Sequence, residues 1–446
     1  MGRLTIAICG GGIGGLCLAV VLKKFVDSKD IVIDLYEAGP KFAETGAGIT
    51  AWERTRSILR TLGMADAFDQ RALSFPVIFR KSDTTEPFSF HEFSVPKGSV
   101  SLPRNEMLNI LVEQLALEAP SFLRTHFSKR LVSYEQDLDG VTLRFEDNST
   151  ARADVLVGAE GIGSPTRKTM YADLAQRART HDAIRAEELL KASQPTWTGT
   201  YAYRALLDRE KLRQAAPDNM MLDKTVIWFG KGRHVVSYPI SPVTINVVFL
   251  DTNPDGLDQV HSGPPMAPSS KQTVAYIFQN FEEDIRAAIQ NADEVSRWAV
   301  SHIRRLPQYA DGRVALLGDS AHAMSPHFAA GAGQAIEDAY ILGRLLAHPT
   351  VQHAHIPAVL EIYDTVRRPI AADAVERSLR LGGMYELQAD CLPAGVDADK
   401  LWAGDEHELA ALAEAMQEMH RFHWETMPER EWERAERMLE EVAGRA

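Results

Sequence analysis

Apolar residues run unbroken through Leu4–Cys9, stop at Gly10, and resume from Leu16 to Leu22 ahead of Lys23 and Lys24. A short β-branched run without alternation predicts a strand buried on both faces, as in a parallel sheet. The longer run with a basic end predicts a helix. A second apolar run, Ile31–Tyr36, predicts another buried strand and ends at Glu37. Further along the period changes. Residues 75–100 alternate aromatic and polar positions (Phe88, Phe90, Phe93), the two-residue period of antiparallel strands. Tyr201–Leu207, His234–Ile240 and Ile245–Leu250 also read as strands, and Val141–Phe145 follows the Asp139-Gly140 turn signal. Trp52–Leu62 reads as a helix, as does Asn105–Ala119 up to Pro120. The stretch beyond Gly318 opens a long helix that runs to about Ala347, where His348-Pro349 ends it. Beyond Pro369 the chain is mostly helical and highly charged, closing with Glu425–Glu441. Ser262–Ser270, rich in Pro, Ser and Gly, predicts a mobile surface loop.

The break at Gly10 carries the first chemistry. In Gly10-Gly11-Gly12-Ile13-Gly14-Gly15, Gly10 permits a tight turn and Gly12 lets backbone approach a pyrophosphate. Gly15 lets the helix pack closely on the strand, and the helix start offers unpaired N–H groups to phosphate. Glu37, with Ala38 after it, lies about 20 residues on, where a carboxylate accepts ribose hydroxyls. This motif alone says only that a dinucleotide binds.

Two later segments narrow the reading. Val155-Leu156-Val157 leads into Gly158-Ala159-Glu160-Gly161, and Val314–Leu317 leads into Gly318-Asp319-Ser320-Ala321-His322. The latter continues through Met324-Ser325-Pro326-His327 to Gly331-Ala332-Gly333. In this order and separation the three segments resemble the FAD-dependent aromatic hydroxylases, the class A flavoprotein monooxygenases that include salicylate and para-hydroxybenzoate hydroxylases. The resemblance spans residues ~4 to ~375, as strand, glycine turn and strand-end acid require. It implies an α/β fold: a Rossmann-like FAD-binding domain interwoven with a β-sheet substrate domain and followed by a helical C-terminal region. The boundaries expected are 1–74, 101–190 and 295–375 for the FAD-binding domain, 75–100 and 191–294 for the substrate domain, and 376–446 for the C-terminal region.

By resemblance, Asp319 binds the ribityl chain of FAD, and Gly331, Ala332 and Gly333 present backbone N–H groups to the flavin pyrimidine. Arg104 matches the arginine that touches the flavin chain and phosphates. Gly48 and Ile49, in Gly46-Ala47-Gly48-Ile49, join the cofactor set with Gly10, Gly12, Ile13, Gly14, Gly15, Glu37 and Ala38. The middle segment departs from the family, which has Asp where Glu160 stands; the added methylene shifts its hydrogen-bond positions. No second glycine motif with a strand-end acid appears, which argues against a two-dinucleotide-domain reductase. In the enzymes the chain resembles, NADH or NADPH is a transient co-substrate.

Composition mainly excludes. At 446 residues the chain has length for two or three domains of ~150 residues. A net charge of -13 opposes nucleic-acid binding and leaves no polybasic membrane patch. No apolar stretch reaches the length of about 18 residues that spans a bilayer. The first strand starts too early for a signal peptide, and Ile6 stands where a myristoylation start needs Ser or Thr. Cys9, Cys17 and Cys391 are badly spaced for disulfides or metal, so a reducing cytoplasmic setting without a metal site is expected. Asn148-Ser149-Thr150 reads as a hairpin end rather than a glycosylation site. A monomer or homodimer is expected.

In the family, NAD(P)H reduces FAD, dioxygen gives a flavin hydroperoxide, and its terminal oxygen reaches an electron-rich ring. The protein orients the ring and excludes water. Candidates for that work are Arg204, Tyr238 and His327. Alternation puts Arg204 with Ala202 and Leu206 on one strand face, where it suits a phenolate or carboxylate. Tyr238 is equally a core aromatic. His327 should lie beside the flavin, where a near-neutral imidazole manages protons; His322 reads as structural. Similar salicylate hydroxylases have Pro-His-Gln-Gly-Ala-Gly, whereas this chain has Phe328 and Ala329 in that stretch. The expected substrate is a hydroxybenzoate such as salicylate, hydroxylated with or without decarboxylation. A larger phenolic secondary metabolite, hydroxylated or dearomatised, is the alternative. A flavin-free regulator of prenylated GTPases shares the fold, and a yellow colour separates the two classes.

Overall fold

In the computed structural model of the chain, residues 3–26, 31–42, 48–93, 95, 100–115 and 122–443 are described. Leu4–Cys9 lies inside a six-stranded sheet, parallel to Ile31–Tyr36 on one side and to Val155–Gly158 on the other. Val314–Leu316 adds next in parallel, with Ala310–Asp311 antiparallel at that edge and Leu123–His126 at the other. All six residues of Ile31–Tyr36 are buried, which is why the run shows no alternation. Its one charged member, Asp34, bonds His126 Nε2 at 2.8 Å and Arg124 Nη2 at 2.5 Å. The helix Ile13–Phe25 packs on the helix Gly331–Ala347, so the first and third sequence segments share one core.

A second sheet has eight strands, ordered Met266–Ser269, Val295–His302, Thr196–Asp208, Thr244–Gln259, Arg233–Pro239, Thr225–Gly230, Val77–Lys81 and Phe88–Phe93. One face carries Tyr203, Ala205, Val247 and Phe249 and packs on the helices Arg209–Ala215, Lys271–Ile277 and Glu283–Asn291. The other face, with Phe79, Phe93, Ile227 and Phe229, is covered by Leu381, Met384, Leu401, Leu412 and Met416 from the C-terminal helices. Among the described residues no helix is long and apolar enough to cross a membrane.

Two local expectations change, and one helix is longer than the sequence marks. Ser262–Ser270 is not a free loop: Met266–Ser269 pairs antiparallel with Val295–His302, and its edge position tolerates Pro268. The strand expected to end at Leu250 continues to Gln259. Ile356–Tyr385 runs as one helix through Pro369. The helix from Arg104 is described to Leu115, and Gly46 and Ala47 lie outside the described residues.

The last helix, Pro428–Ala443, returns to the first core, where Trp432, Ala435 and Leu439 are buried. It also completes a buried charge cluster. Arg367, fully buried, reaches Asp338 at 2.9 Å, Glu337 at 3.1 Å, Gln334 at 2.7 Å and Glu431 at 2.5 Å. Arg54 adds bonds to Glu337 at 2.7 Å and to Glu431. Burial alone would raise the Asp338 carboxyl, but His322 and Arg367 outweigh it and bring it down to about 2.

Candidate active site

The glycine turn divides its labour. Gly10 has φ +113, and a Cβ there would overlap the Ala159 carbonyl. A Cβ on Gly15 would overlap the Gly10 carbonyl, so these two set the turn and the helix–strand contact rather than lining a cavity. Gly12 faces open space, with Arg104 Nη2 the nearest atom at 3.8 Å from a built Cβ. Glu37 accepts from Gly11 N at 2.8 Å and Gly39 N at 2.7 Å, so its carboxylate ties the glycine turn to the end of the second strand. Ala38 is half-buried between those two bonds.

The third segment makes a second turn. Gly318, at φ +63, donates its N–H to Asp338 Oδ2 at 3.0 Å. The chain then enters a four-residue helix, and Asp319 stands exposed at its start. His322, behind it, bonds Asp338 at 2.5 Å and is structural, as its sequence context suggests. Gly331–Ala347 begins with residues whose N–H groups have no intrahelical acceptor. Gly331 faces open space, whereas a Cβ on Gly333 would come 2.6 Å from Thr55 Oγ1. The middle segment turns inward. Glu160 accepts from Ser164 Oγ at 2.7 Å and from Thr166 Oγ1, and burial raises its carboxyl. Buried Arg167 donates to the carbonyls of Ser193 and Ser320 at 2.8 Å each, joining this segment to the third.

These elements enclose a cavity of about 330 Å³ lined by Gly12, Ile13, Gly14, Gly48, Ile49, Arg104, Asp319, Gly331 and Ala332, among others. Its donor set suits FAD: open glycine backbone and a helix start for anionic groups, Arg104 as a cation, and a carboxylate for hydroxyls. Asp319 accepts no protein hydrogen bond among the described residues and is available for that task. Gly10, Gly15, Glu37, Ala38 and Gly333 stand outside the lining, with Glu37 tied to the glycine turn through Gly11 N.

A second cavity of about 150 Å³ adjoins the first, and Thr50, Tyr238, Pro326 and Ala329 line both. Its walls are apolar and aromatic, with Trp52, Phe79, Phe93, Ile227, Val236 and Tyr385. Tyr238 donates its hydroxyl to Gly48 O at 3.0 Å; burial pushes it up to about 12, so it remains a neutral phenol. Ala329 sits at φ +48, where glycine is cheapest, and its carbonyl is held by Trp52 Nε1 at 3.0 Å.

His327 lines this second cavity, not the first, and its Nδ1 lies 3.0 Å from Ser325 Oγ. The near-neutral imidazole expected there is corrected: burial, helped by His234 with its ring 5.0 Å away, pushes His327 well below the usual range. Arg204 also differs from expectation. It shares the cavity-side face of its strand, opposite Val248, but lines neither cavity; its guanidinium stands 5.4 Å from the Trp298 ring centroid. Periodicity did not single out Trp52, Tyr385 or His420. The last two come from the charged C-terminal region, where nothing in the pattern marks a cavity wall.

Burial also brings His234 down to about 3 and His420 to about 4, and holds His423 well down. A histidine with a depressed folded pKa contributes stability above its unfolded value near 6.5 and loses it as pH falls toward the folded value. Burial raises Glu160 and Glu386, which offsets part of this at lower pH. The smaller shifts of His302, downward, and of Asp173, Asp251 and Asp284, upward, oppose one another, so the four fully buried histidines against two glutamates leave a net fall. The unfolding free energy should drop from pH 6.5 to pH 4.5 by about 1.4 kcal/mol per unit for each net proton. Denaturant titrations across that range read it; a flat profile would contradict neutral buried histidines.

Comparison with known proteins agrees with this geometry. Residues 3–229 and 258–378 match the family described as FAD binding domain. A salicylate hydroxylase of Pseudomonas putida is 31% identical over 398 residues, covering 86% of each chain. The FAD-dependent monooxygenase str9 of Strobilurus tenacellus is 31% identical and covers 98% of each. A solved salicylate hydroxylase substrate complex superposes with a TM-score of 0.79 at 29% identity, over 97% of this chain and 98% of that one. With both cavities in place and the match running through all three glycine segments, the chain belongs to the FAD-dependent aromatic hydroxylases.

Proposed function

We propose that the chain hydroxylates a phenolic ring seated in the second cavity, using FAD held in the first, NADH or NADPH as reductant, and dioxygen. The observation that carries this is the shared wall: Thr50, Tyr238, Pro326 and Ala329 face both cavities, so a ring in one abuts a cofactor in the other. When bound, FAD accepts hydride and activates dioxygen. The chain supplies the rest. Gly12 and the Gly331 helix start receive anionic groups, Arg104 adds charge, and Asp319 accepts ribityl hydroxyls. Tyr238 fixes the wall through Gly48, and the aromatic lining keeps water from the ring. Relatives are salicylate hydroxylases, so salicylate is the reference phenol, and the panel extends to uncharged phenols.

The test is labelled dioxygen. One labelled atom should enter the aromatic product, with NAD(P)H oxidation stimulated by the phenol. Hydrogen peroxide as the sole reduced product across a phenol panel would overturn the reading. Asp319→Ala should weaken FAD binding roughly 10- to 150-fold, the loss of a charge-assisted bond of about 1.5–3 kcal/mol. Flavin titration of the apoprotein measures it, and unchanged affinity would remove Asp319 from the site.

A further inference from the structure

We infer that the second cavity is built for a single uncharged phenolic ring whose hydroxyl donates to His327 Nε2, and that it rejects ring carboxylates. The inference rests on the phenol-hydroxylase reading above and names its substrate class.

Charge comes first. Among the described residues, no Lys, Arg, Asp or Glu lines the cavity. Arg204, the cation on that sheet face, packs over Trp298 and stays outside the lining, and its charge reaches the cavity only through the Tyr238 phenol. A carboxylate placed there would meet only the hydroxyls of Thr50, Ser101 and Thr225 and no opposite charge, and burying an unpaired charge is costly. Volume agrees with one ring: an apolar cavity of about 150 Å³ accommodates a benzene.

Hydrogen bonding then sets polarity. The large donors around the cavity are spent on the protein's own carbonyls: Tyr238 on Gly48, Trp52 on Ala329, and Tyr385 on His327 at 3.4 Å. His420 Nδ1 lies 2.8 Å from Met416 O and must donate to it, leaving Nε2 bare. The same argument fixes His327. Ser378 has one hydroxyl proton, given to Ser325 O at 2.5 Å, and it accepts from Phe328 N at 3.2 Å. Ser325 Oγ, 2.9 Å from Ser378 Oγ, therefore donates to it and accepts from His327 Nδ1. His327 Nε2 is left as a lone-pair acceptor, buried and without a protein partner. Gly382 keeps this ring in place, since a Cβ there would come 2.5 Å from Nδ1. A bare acceptor in an apolar, cation-free cavity matches a neutral phenol O–H. It repels a carboxylate.

Calorimetric binding to the FAD-loaded enzyme at pH 7.5 tests this with three ligands: 2-isopropylphenol, salicylate of nearly the same shape, and 2-isopropylanisole, which lacks the donor. The phenol should bind at least tenfold tighter than either of the others and stimulate NAD(P)H oxidation more than salicylate does. Salicylate binding as tightly as the phenol would overturn the charge argument and leave the hydroxylase reading standing. Equal binding of the anisole would overturn the role of His327 Nε2. Absence of binding and of stimulation by both phenol and salicylate would overturn the hydroxylase reading together with this inference.

Discussion

Gly15→Ala yields little soluble protein, and what survives carries little FAD: this is the expected result for the smallest possible change in the chain. The added methyl has nowhere to go, because it would overlap the Gly10 carbonyl oxygen and also press on Ile8 Cγ2 at 3.2 Å. Neither neighbour is a flexible side-chain end. Gly10 is held at φ +113, with its own N–H bonded to Tyr36 O at 2.8 Å. Relief therefore requires the helix Ile13–Phe25 to lift off the strand Leu4–Cys9, along with its packing on Gly331–Ala347. Overpacking in cores costs about 1–3 kcal/mol where side chains can yield, and more is expected against backbone. Thermal unfolding and bound-flavin absorbance measure it. A variant with wild-type stability and full flavin would show that the helix–strand contact is looser than described.

Arg367→Met should be the most destabilising substitution of a charged residue. It leaves Glu337, Asp338 and Glu431 facing one another with Arg54 as the main remaining cation. Removing one member of a buried ionic group costs about 3–5 kcal/mol, because the partners stay buried and uncompensated. Arg367→Lys keeps the charge but not the fork that serves four partners, so it should recover only part of the loss. Urea unfolding distinguishes the three proteins. Equal midpoints for wild type and Arg367→Met would mean the cluster relaxes into water.

Much of the nucleotide half was legible because its physics is local. A strand buried on both faces prints as an apolar run, and the turn after it demands glycine at positions such as Gly10 and Gly318, both at positive φ. The catalytic half was less legible because cavity walls are assembled across the chain. Tyr385 ends a 30-residue helix of which only the last turns reach this cavity, and His420 lies in a stretch that reads only as charged helix. His327 lines the second cavity, but the near-neutral imidazole expected of it is not what burial and a second imidazole 5.0 Å away leave, and both are tertiary facts. Arg204 fell on the expected strand face, yet where a long side chain rests depends on its neighbour across the sheet, here Trp298. The edge strand Met266–Ser269 was missed because Pro and Ser signal a loop unless a partner strand supplies the ladder.

The parallel sheet takes its central strands from residues 4–9, 31–36, 155–158 and 314–316, and its charge cluster closes only with Glu431. During translation the first two strands therefore leave the ribosome long before Val314 exists. At ~5–20 residues per second they wait roughly 15–60 s for the strand Val314–Leu316 and for the helix Gly331–Ala347 that packs on Ile13–Phe25. In that interval Ile13–Phe25 can cover one face of Leu4–Cys9, but its own outer side lacks Gly331–Ala347, and keeping that apolar surface apart from other chains falls to chaperones. The rate of synthesis, as much as final stability, then governs how much active enzyme a cell accumulates.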